Sequence, residues 1–595
     1  MSLQWKFLIF LKSSWCVMTS KTEHKPILWR LYLIFFVMAL CVVAVFWKLT
    51  SLHVLQKDFL QGQGDARTIR TEPLSANRGM ITDRNGEPLA VSTPVKSIWV
   101  NPKEISQELR DIEVLAFELE VEAQVLATNI AANADKEFLF VKRRMAPAEA
   151  DRVLALGIDG VYARQEYQRY YPQGEIAAHI VGFTNVDDSG QEGLELAYDD
   201  WLEGVPGRQQ VMKDRRGRVI KELDTLAPAQ PGHDLELSID FRLQNHAYKE
   251  LKSEYMLREA RSASVVVMDV ATGEVLAMVN QPSYNPNNRS SLTDFSALRN
   301  RAVTDLFEPG STVKAFTVAA ALESGMFTPE TLVDTNPGRI RVGRDYVTDA
   351  TTRAVNHGIL TVEGIITKSS NVGATKLALA IGHDSLRSVL ERVGFGTDTG
   401  TGFPGERSGV LPNHRIWHDI ETATLSYGYG LSVSALQLAS AYTTLVSGGI
   451  KKPVSMIKVS PEGLATMPIE RVLSESVSRS VMTALETVVD KQRGGGAIAA
   501  NVPFYSVAGK TGTAHVVGAS GYEDNRYNSF FVGYAPASDP RIVVVIIMNE
   551  PGGRQHYGSQ VAAPLFSKIV TGAMRILNVT PDKLDETQLL KLSAL

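Results

Sequence analysis

The apolar positions of this chain change pattern several times between its ends, and each change marks a structural boundary. From Leu31 to Trp47 no residue is charged. Extended back to Ile27 across the single Arg30, the run reaches the roughly 20 residues a membrane-spanning helix needs. A cleaved signal sequence fits poorly, because the run outlasts an ordinary signal core and no small-x-small site follows Trp47. Trp29 and Trp47 bracket the segment as interfacial anchors do. Lys6, Lys12, Lys21, Lys25 and Arg30 precede it, with Glu23 the only acid there. This bias places the N-terminus in the cytoplasm and everything after Lys48 outside, a single-pass arrangement. Phe7–Leu11 is too short to cross, and Met18 opens an ordinary cytoplasmic tail, so Met18 is the expected initiator.

Beyond the span the periodicities alternate. Residues 48–64 read as a juxtamembrane helix ending at Gly62-Gln63-Gly64, and Glu104–Ala131 and Ala146–Leu156 carry helical spacing. Gly193–Glu203 is amphipathic and stops at Gly204-Val205-Pro206-Gly207, and Phe241–Ala260 is a long helix. Asn85-Gly86 between short apolar runs predicts a hairpin. A second hairpin is predicted where two β-rich runs, together Ser264–Val279, flank Ala271-Thr272-Gly273. Ser529–Ala535 and Arg541–Met548 read as further strands. The fold class is α/β: one N-terminal transmembrane helix, a mixed α+β pedestal, then a domain whose antiparallel sheet is closed by distant parts of the chain and flanked by helices. The expected divisions are a cytoplasmic tail (1–26), the span (27–47), the pedestal (48–255), the second domain (256–577) and a C-terminal tail (578–595).

At 595 residues the chain is too long for one ordinary domain. With 44% hydrophobic and 21% charged residues it has the composition of an ordered protein, and a net charge of -4 with no long basic run argues against nucleic acid. Its two cysteines, Cys16 and Cys41, lie in or before the span, so no disulfide and no thiolate metal site is available downstream.

The chemistry sits in three short elements that occur in order. Ser311-Thr312-Val313-Lys314 supplies a hydroxyl nucleophile and, three residues on, an amine on the same helix face. Pro309-Gly310 makes the turn before it, so Ser311 lies at the positive end of a helix dipole. Lys314 needs burial or a neighbouring cation to act as a base at neutral pH, and Lys510 is the candidate neighbour. Ser369-Ser370-Asn371 follows. Ser369 is placed to relay a proton toward a leaving group, and Asn371 to hold the Lys314 amine and a substrate amide. Lys510-Thr511-Gly512-Thr513 is read as an edge strand, with Lys510 supplying charge, Thr511 and Thr513 offering hydroxyls to a carboxylate, and Gly512 letting a peptide lie close. The backbone amides of Ser311 and Thr513 would make an oxyanion hole. No metal or cofactor is called for.

Specificity lies in the ordered set. Ordinary usage of serine and lysine gives roughly two Ser-x-x-Lys matches by chance in such a chain, and the second, Ser455–Lys458, lies in a strand-like stretch and is read as structural. Gly509-Lys510-Thr511 is not a phosphate-binding loop, because Phe504 stands where that motif needs glycine.

A Ser-x-x-Lys, Ser-x-Asn, Lys-Thr-Gly set marks penicillin-binding proteins and class A β-lactamases. With Arg78-Gly79, Asp83-Arg84-Asn85-Gly86, Gly193-Leu194-Glu195, Tyr427-Gly428-Tyr429-Gly430 and Glu308-Pro309-Gly310 added, residues from about Leu31 to Leu577 resemble the class B penicillin-binding proteins, most closely their division-specific FtsI type. The resemblance implies a D,D-transpeptidase that cross-links the stem peptides of septal peptidoglycan, is acylated by β-lactams, and works with a SEDS-family glycosyltransferase and other division proteins. The elongation-specific class B enzymes are the alternative that motif chemistry leaves open. A D,D-carboxypeptidase is disfavoured by the large pedestal and anchor, a β-lactamase by the lack of an identifiable deacylating carboxylate, and a non-catalytic membrane-anchored sensor by the lack of a cytoplasmic signalling domain.

Overall fold

The computed structural model describes residues 28–583 apart from 107, 214–218, 291, 350–354 and 519–520. Met18 and residues 584–595 of the expected C-terminal tail lie outside the described residues. The chain divides into two compact units, one running to Glu72 and including 209–224, the other comprising Pro73–Arg208 and the residues from Thr225 onward.

In the first unit a 23-residue helix, Leu28–Thr50, carries the apolar run, and its side chains from Trp29 onward are exposed, as suits a helix whose solvent is lipid. It extends three residues beyond the expected Trp47 and passes into a π-helical turn, Ser51–Leu55. The following helix, Lys57–Thr68, continues through Gly62 and Gly64. Interior glycines cost a helix only about 1 kcal/mol each, so they weaken it without ending it.

The second unit opens with the predicted hairpin. Ile81–Thr82 pairs with Pro88–Val100, and Asp83 Oδ1 accepts from the backbone N–H of Asn85 (2.7 Å) and Glu87 (2.8 Å) to hold the turn. Residues 91–100 pair antiparallel with Val161–Tyr170. The helical stretch expected over Glu104–Ala131 is instead two helices, Leu109–Glu118 and Ala123–Ala132, because Glu120 takes a left-handed φ of 53° and closes the first. Likewise the amphipathic segment 193–203 breaks at Tyr198 into Gly193–Ala197 and Asp199–Leu202.

Five antiparallel strands form the second half's sheet, in the order Val275–Gln281, Ser262–Asp269, Ile542–Asn549, Gly521–Ala535, Ala508–Gly518. Every residue of Ser262–Asp269 is buried, as expected of a strand covered on both faces. Phe241–Leu257 and Gly558–Ile576 pack on the sheet and on each other, and Ala435–Val446 crosses its two central strands. Ser262–Asp269 and Ile542–Asn549, from opposite ends of this half, are direct neighbours, so the sheet is closed across the long stretch of chain between Asp269 and Ile542, which pair with each other. One edge of the sheet is Ala508–Gly518, the strand carrying Lys510.

Candidate active site

Backbone geometry fixes the turn that carries Ser311 first. Gly310 adopts φ +53°, and its N–H donates to Gly428 O at 3.1 Å. A Cβ on Gly428 would stand 2.0 Å from Gly310 O, so Tyr427-Gly428-Tyr429-Gly430 needs its first glycine for this approach. Gly310–Val313 is a 3₁₀ turn that runs directly into the helix Lys314–Glu323. Tyr442, fully buried, donates to Thr312 O at 2.7 Å and pins the turn from below.

Lys314 is wholly buried, and its amine meets four oxygens. Nζ is 3.0 Å from Ser311 Oγ, 2.5 Å from Ser369 O, 2.6 Å from Asn371 Oδ1 and 3.2 Å from Ser369 Oγ. Two of these can only accept, because Ser369 O is a carbonyl and the Asn371 amide is oriented by Nδ2 donating to Thr348 O at 2.8 Å. A neutral amine has two N–H groups. With both committed to Ser369 O and Asn371 Oδ1, its lone pair is left for the Ser311 hydroxyl.

The Ser-x-Asn element joins two helices, Val362–Lys368 and Asn371–Ile381. Ser369 closes the first in a left-handed conformation (φ 56°), and Ser370 caps the second by accepting from Gly373 N at 2.9 Å. Left-handed backbone is costly for a side-chain-bearing residue and marks a position held by its surroundings. Here it aims both the carbonyl and the hydroxyl of Ser369 at Lys314. Asp349 secures the second helix, its Oδ1 accepting from Ser370 Oγ (2.9 Å) and Val372 N (2.8 Å). Thr348 and Asp349 escaped the sequence reading because their positioning contacts cross more than twenty residues of chain.

Lys510 Nζ reaches Ser369 Oγ at 2.9 Å and Thr511 O at 3.2 Å, so one hydroxyl lies between the two lysines. On Gly512 a Cβ would stand 3.1 Å from Pro309 O and 3.0 Å from the Phe530 ring. A side chain there would force these neighbours to give by a few tenths of an ångström, so glycine suits the strand's seat against the turn that carries Ser311. Thr511 and Thr513 are half-buried, and Thr513 Oγ1 accepts from Gly558 N at 3.1 Å, which leaves its O–H free to donate. The other Ser-x-x-Lys pair is remote from this chemistry. Ser455 Oγ donates to Ile457 O, and Lys458 pairs with Glu236 at 2.6 Å.

The penicillin binding protein transpeptidase domain model matches residues 263–571, and the penicillin-binding protein dimerisation domain model matches 73–237. The peptidoglycan D,D-transpeptidase FtsI of Escherichia coli is 44% identical over 94% of this chain and 94% of its own length. The chain belongs to the class B penicillin-binding proteins. The probable peptidoglycan D,D-transpeptidase PbpC of Pseudomonas aeruginosa is 41% identical over 94% of this chain and 97% of its own. A crystal structure of a peptidoglycan synthetase from Bifidobacterium adolescentis is 25% identical, with a TM-score of 0.67 over 87% of this chain and 99% of that one.

In this class B protein the electrostatics of the two lysines follow from burial. Burial pushes the Lys314 amine well below its ordinary range, the nearby Lys510 charge pushes it further, and Asp349 opposes both. Burial likewise brings Lys510 down to about 7. Among the described residues neither lysine has a carboxylate within 4.0 Å. The site thus holds an amine whose grip on its proton is much loosened by burial, beside a hydroxyl, with a second amine that changes charge near neutrality.

Proposed function

We propose that this protein is a serine acyl-enzyme D,D-transpeptidase of peptidoglycan, with Ser311 as nucleophile. The observation that carries the assignment is the 3.0 Å contact of Lys314 Nζ with Ser311 Oγ, with both amine hydrogens already committed elsewhere. Lys314 takes the hydroxyl proton as Ser311 Oγ attacks the carbonyl of a stem peptide's penultimate D-alanine. The C–N bond to the terminal D-alanine breaks, and the Lys314 proton passes through Ser369 Oγ to the departing amine. An acceptor amine from a second stem peptide then attacks the ester, loses its proton by the reverse route, and frees Ser311. Backbone N–H groups of Ser311 and Thr513 hold the oxyanion; Ser311 lies in the first helical turn, where N–H groups lack intrahelical partners. The substrate strand adds to the edge Ala508–Gly518, with its carboxylate on Thr511, Thr513 and the Lys510 charge. A β-lactam follows the same first step, but its ring nitrogen stays tethered to the acyl group, so the ester persists.

The likeness to FtsI supports a role in septum synthesis, with a SEDS-family glycosyltransferase as partner, the N-terminus in the cytoplasm and the catalytic domain in the periplasm. Mass spectrometry after penicillin treatment tests the chemistry. The protein should gain one covalent adduct, and Ser311→Ala should gain none while unfolding at the same temperature. A stable adduct on that variant would overturn the assignment. Depletion in the native cell tests the division role: filaments support it, and spherical cells assign the protein to elongation.

A further inference from the structure

Outside the catalytic site, one cavity is walled by cations from both family domains. It has a volume of about 270 Å³ and is lined by Arg144 and Arg169 from the dimerisation-domain region, by Arg289 from the transpeptidase-domain region, and by no acidic residue. Asn287 fastens the two walls, accepting from Tyr171 N at 3.0 Å and donating to Tyr171 O at 2.8 Å.

Among the described residues Arg144 and Arg289 make no ion pair within 4.0 Å, Arg289 lies over the Phe183 ring, and Arg169 shares the single carboxylate of Glu195 with Arg78. Arg144 donates to Asn185 O at 3.0 Å, and Arg289 donates to Pro286 O at 2.6 Å and Thr184 O at 3.2 Å; both sets of partners are backbone carbonyls. Arg169 is 4% exposed, and its Nε and Nη1 reach Glu195 and Ser92, while its Nη2 is buried with no hydrogen-bond partner among the described residues. A buried guanidinium nitrogen left unpartnered is costly, and native proteins seldom retain one without a ligand or water to meet it. Glu195 is already shared with Arg78, and Glu166 and Asp187 are taken by Arg143. The remaining nearby acid, Asp188, accepts from Thr184 Oγ1 at 3.3 Å and makes no ion pair within 4.0 Å of any of the three arginines. Arg144 also holds a left-handed backbone (φ 61°), a conformation that a side-chain-bearing residue keeps only where its surroundings impose it.

We propose that this cavity binds a phosphate or diphosphate group, and that its occupancy ties the pedestal to the transpeptidase domain. Guanidinium forks match phosphoryl oxygens in pairs; free phosphate carries about 1.5–2 negative charges near neutrality, and a phosphodiester headgroup presents one charge on the same kind of oxygens. The volume suits such a group and is below the range of about 300–1,000 Å³ typical of drug-sized ligands. Because the arginines come from both domains, the ligand binds the joined arrangement and stabilises it by mass action. The source is either free phosphate or the headgroup of an anionic lipid.

The test uses the full-length protein in nanodiscs of phosphatidylcholine, at fixed ionic strength set with chloride. Inorganic phosphate and pyrophosphate are titrated by calorimetry, and hydrogen exchange of residues 140–146 and 285–290 is compared with that in nanodiscs containing phosphatidylglycerol. Saturable binding of either free anion, weakened at least tenfold by Arg144→Gln with Arg289→Gln, supports the proposal and a free-phosphate source. Slowed exchange only with phosphatidylglycerol, lost in the same variant, supports it with a lipid source. Arg144→Lys with Arg289→Lys keeps the charge and should bind with intermediate affinity. Neither arginine touches the catalytic serine, so penicillin acylation reports that each variant is folded. Absence of both binding and protection overturns the proposal, as does equal binding by the folded glutamine variant.

Discussion

Two groups of buried cations lie in this protein, and they meet the same physical problem in opposite ways. In the pedestal, Arg78 and Arg169 are almost fully buried and share the carboxylate of Glu195, at 2.7 Å and 2.6 Å, and Arg78 adds Asp199 at 2.7 Å. Burial alone would lower the Arg78 pKa, but the Glu195 and Asp199 contacts outweigh it and the net shift is upward. In the catalytic site, Lys314 and Lys510 are equally buried, but their close partners are hydroxyls, carbonyls and one amide oxygen. No ion pair then offsets desolvation, which outweighs the opposing Asp349 charge at Lys314, and the hold on the proton loosens. The difference assigns the roles. Paired arginines, which do not deprotonate, stabilise architecture, whereas unpaired lysines can exchange protons.

The strongest way to break the comparison is to make the site resemble the pedestal. Lys314→Arg keeps a cation in place but removes the ability to release a proton. Penicillin acylation, followed as adduct formation against time, should fall by about 10²–10⁴-fold, the usual worth of a general base. Near-normal acylation would show that Lys314 acts through charge alone.

The reverse experiment removes the pedestal's anion. Glu195→Gln leaves Arg78 with Asp199 alone and Arg169 with no carboxylate. Deleting one partner of a buried pair costs about 3–5 kcal/mol, so the chemical denaturation midpoint should drop sharply. The fraction that remains folded should still form a penicillin adduct, because the lysine site does not use this carboxylate.

A finer test is the pH dependence. Acylation requires neutral Lys314, so the rate rises with pH through its depressed pKa. Burial is the larger cause of that depression and the Lys510 charge the second. Lys510→Ala removes only the second, so the acidic limb of the pH–rate profile should move to higher pH, with lower acylation at every pH. Stability follows a related sign. An unfolded Lys510 keeps its proton up to about its ordinary 10.5, but the folded residue loses it near 7. The unfolded state therefore binds more protons between those values, and the contribution of this group to stability rises with pH across that window. A limb that stays in place in Lys510→Ala would mean that burial alone tunes Lys314.

These experiments concern residues that differed in how far they could be read from the sequence. Ser311 and Lys314 were legible because a helix turn joins them, and the strands around 262–281 and 529–548 because their β-branched runs fit a buried sheet. The Asn371 amide orientation was not legible, since it depends on Thr348 O, and the left-handed Ser369 was hidden within an ordinary capping tripeptide. Gly512 looked like space for substrate until Pro309 and Phe530 stood against it. In the pedestal, Arg78 and Glu195 fell within motifs noted for resemblance, but Arg169 did not, and the cluster forms across 117 residues of chain. The helices at 109–132 and 193–202 show the converse limit. Apolar spacing carried through Glu120 and Tyr198, where the backbone breaks for reasons no periodicity encodes.

The smallest expected effect comes from the second Ser-x-x-Lys pair, which shares the motif but not its surroundings. Ser455 Oγ donates to Ile457 O at 2.6 Å and accepts from Ile457 N at 3.1 Å, so its hydroxyl braces a local turn. Lys458 lies at the surface with Glu236 and the Arg84 carbonyl. The Ser455 hydroxyl is directed at Ile457 and not at this amine. Ser455→Ala should therefore acylate at the parental rate and lose only about 1 kcal/mol of stability, the net worth of an ordinary hydrogen bond. A large fall in adduct formation at unchanged stability would mean that sequence spacing, without burial of the lysine, is enough to make a nucleophile, and the contrast between paired and unpaired cations would lose its force.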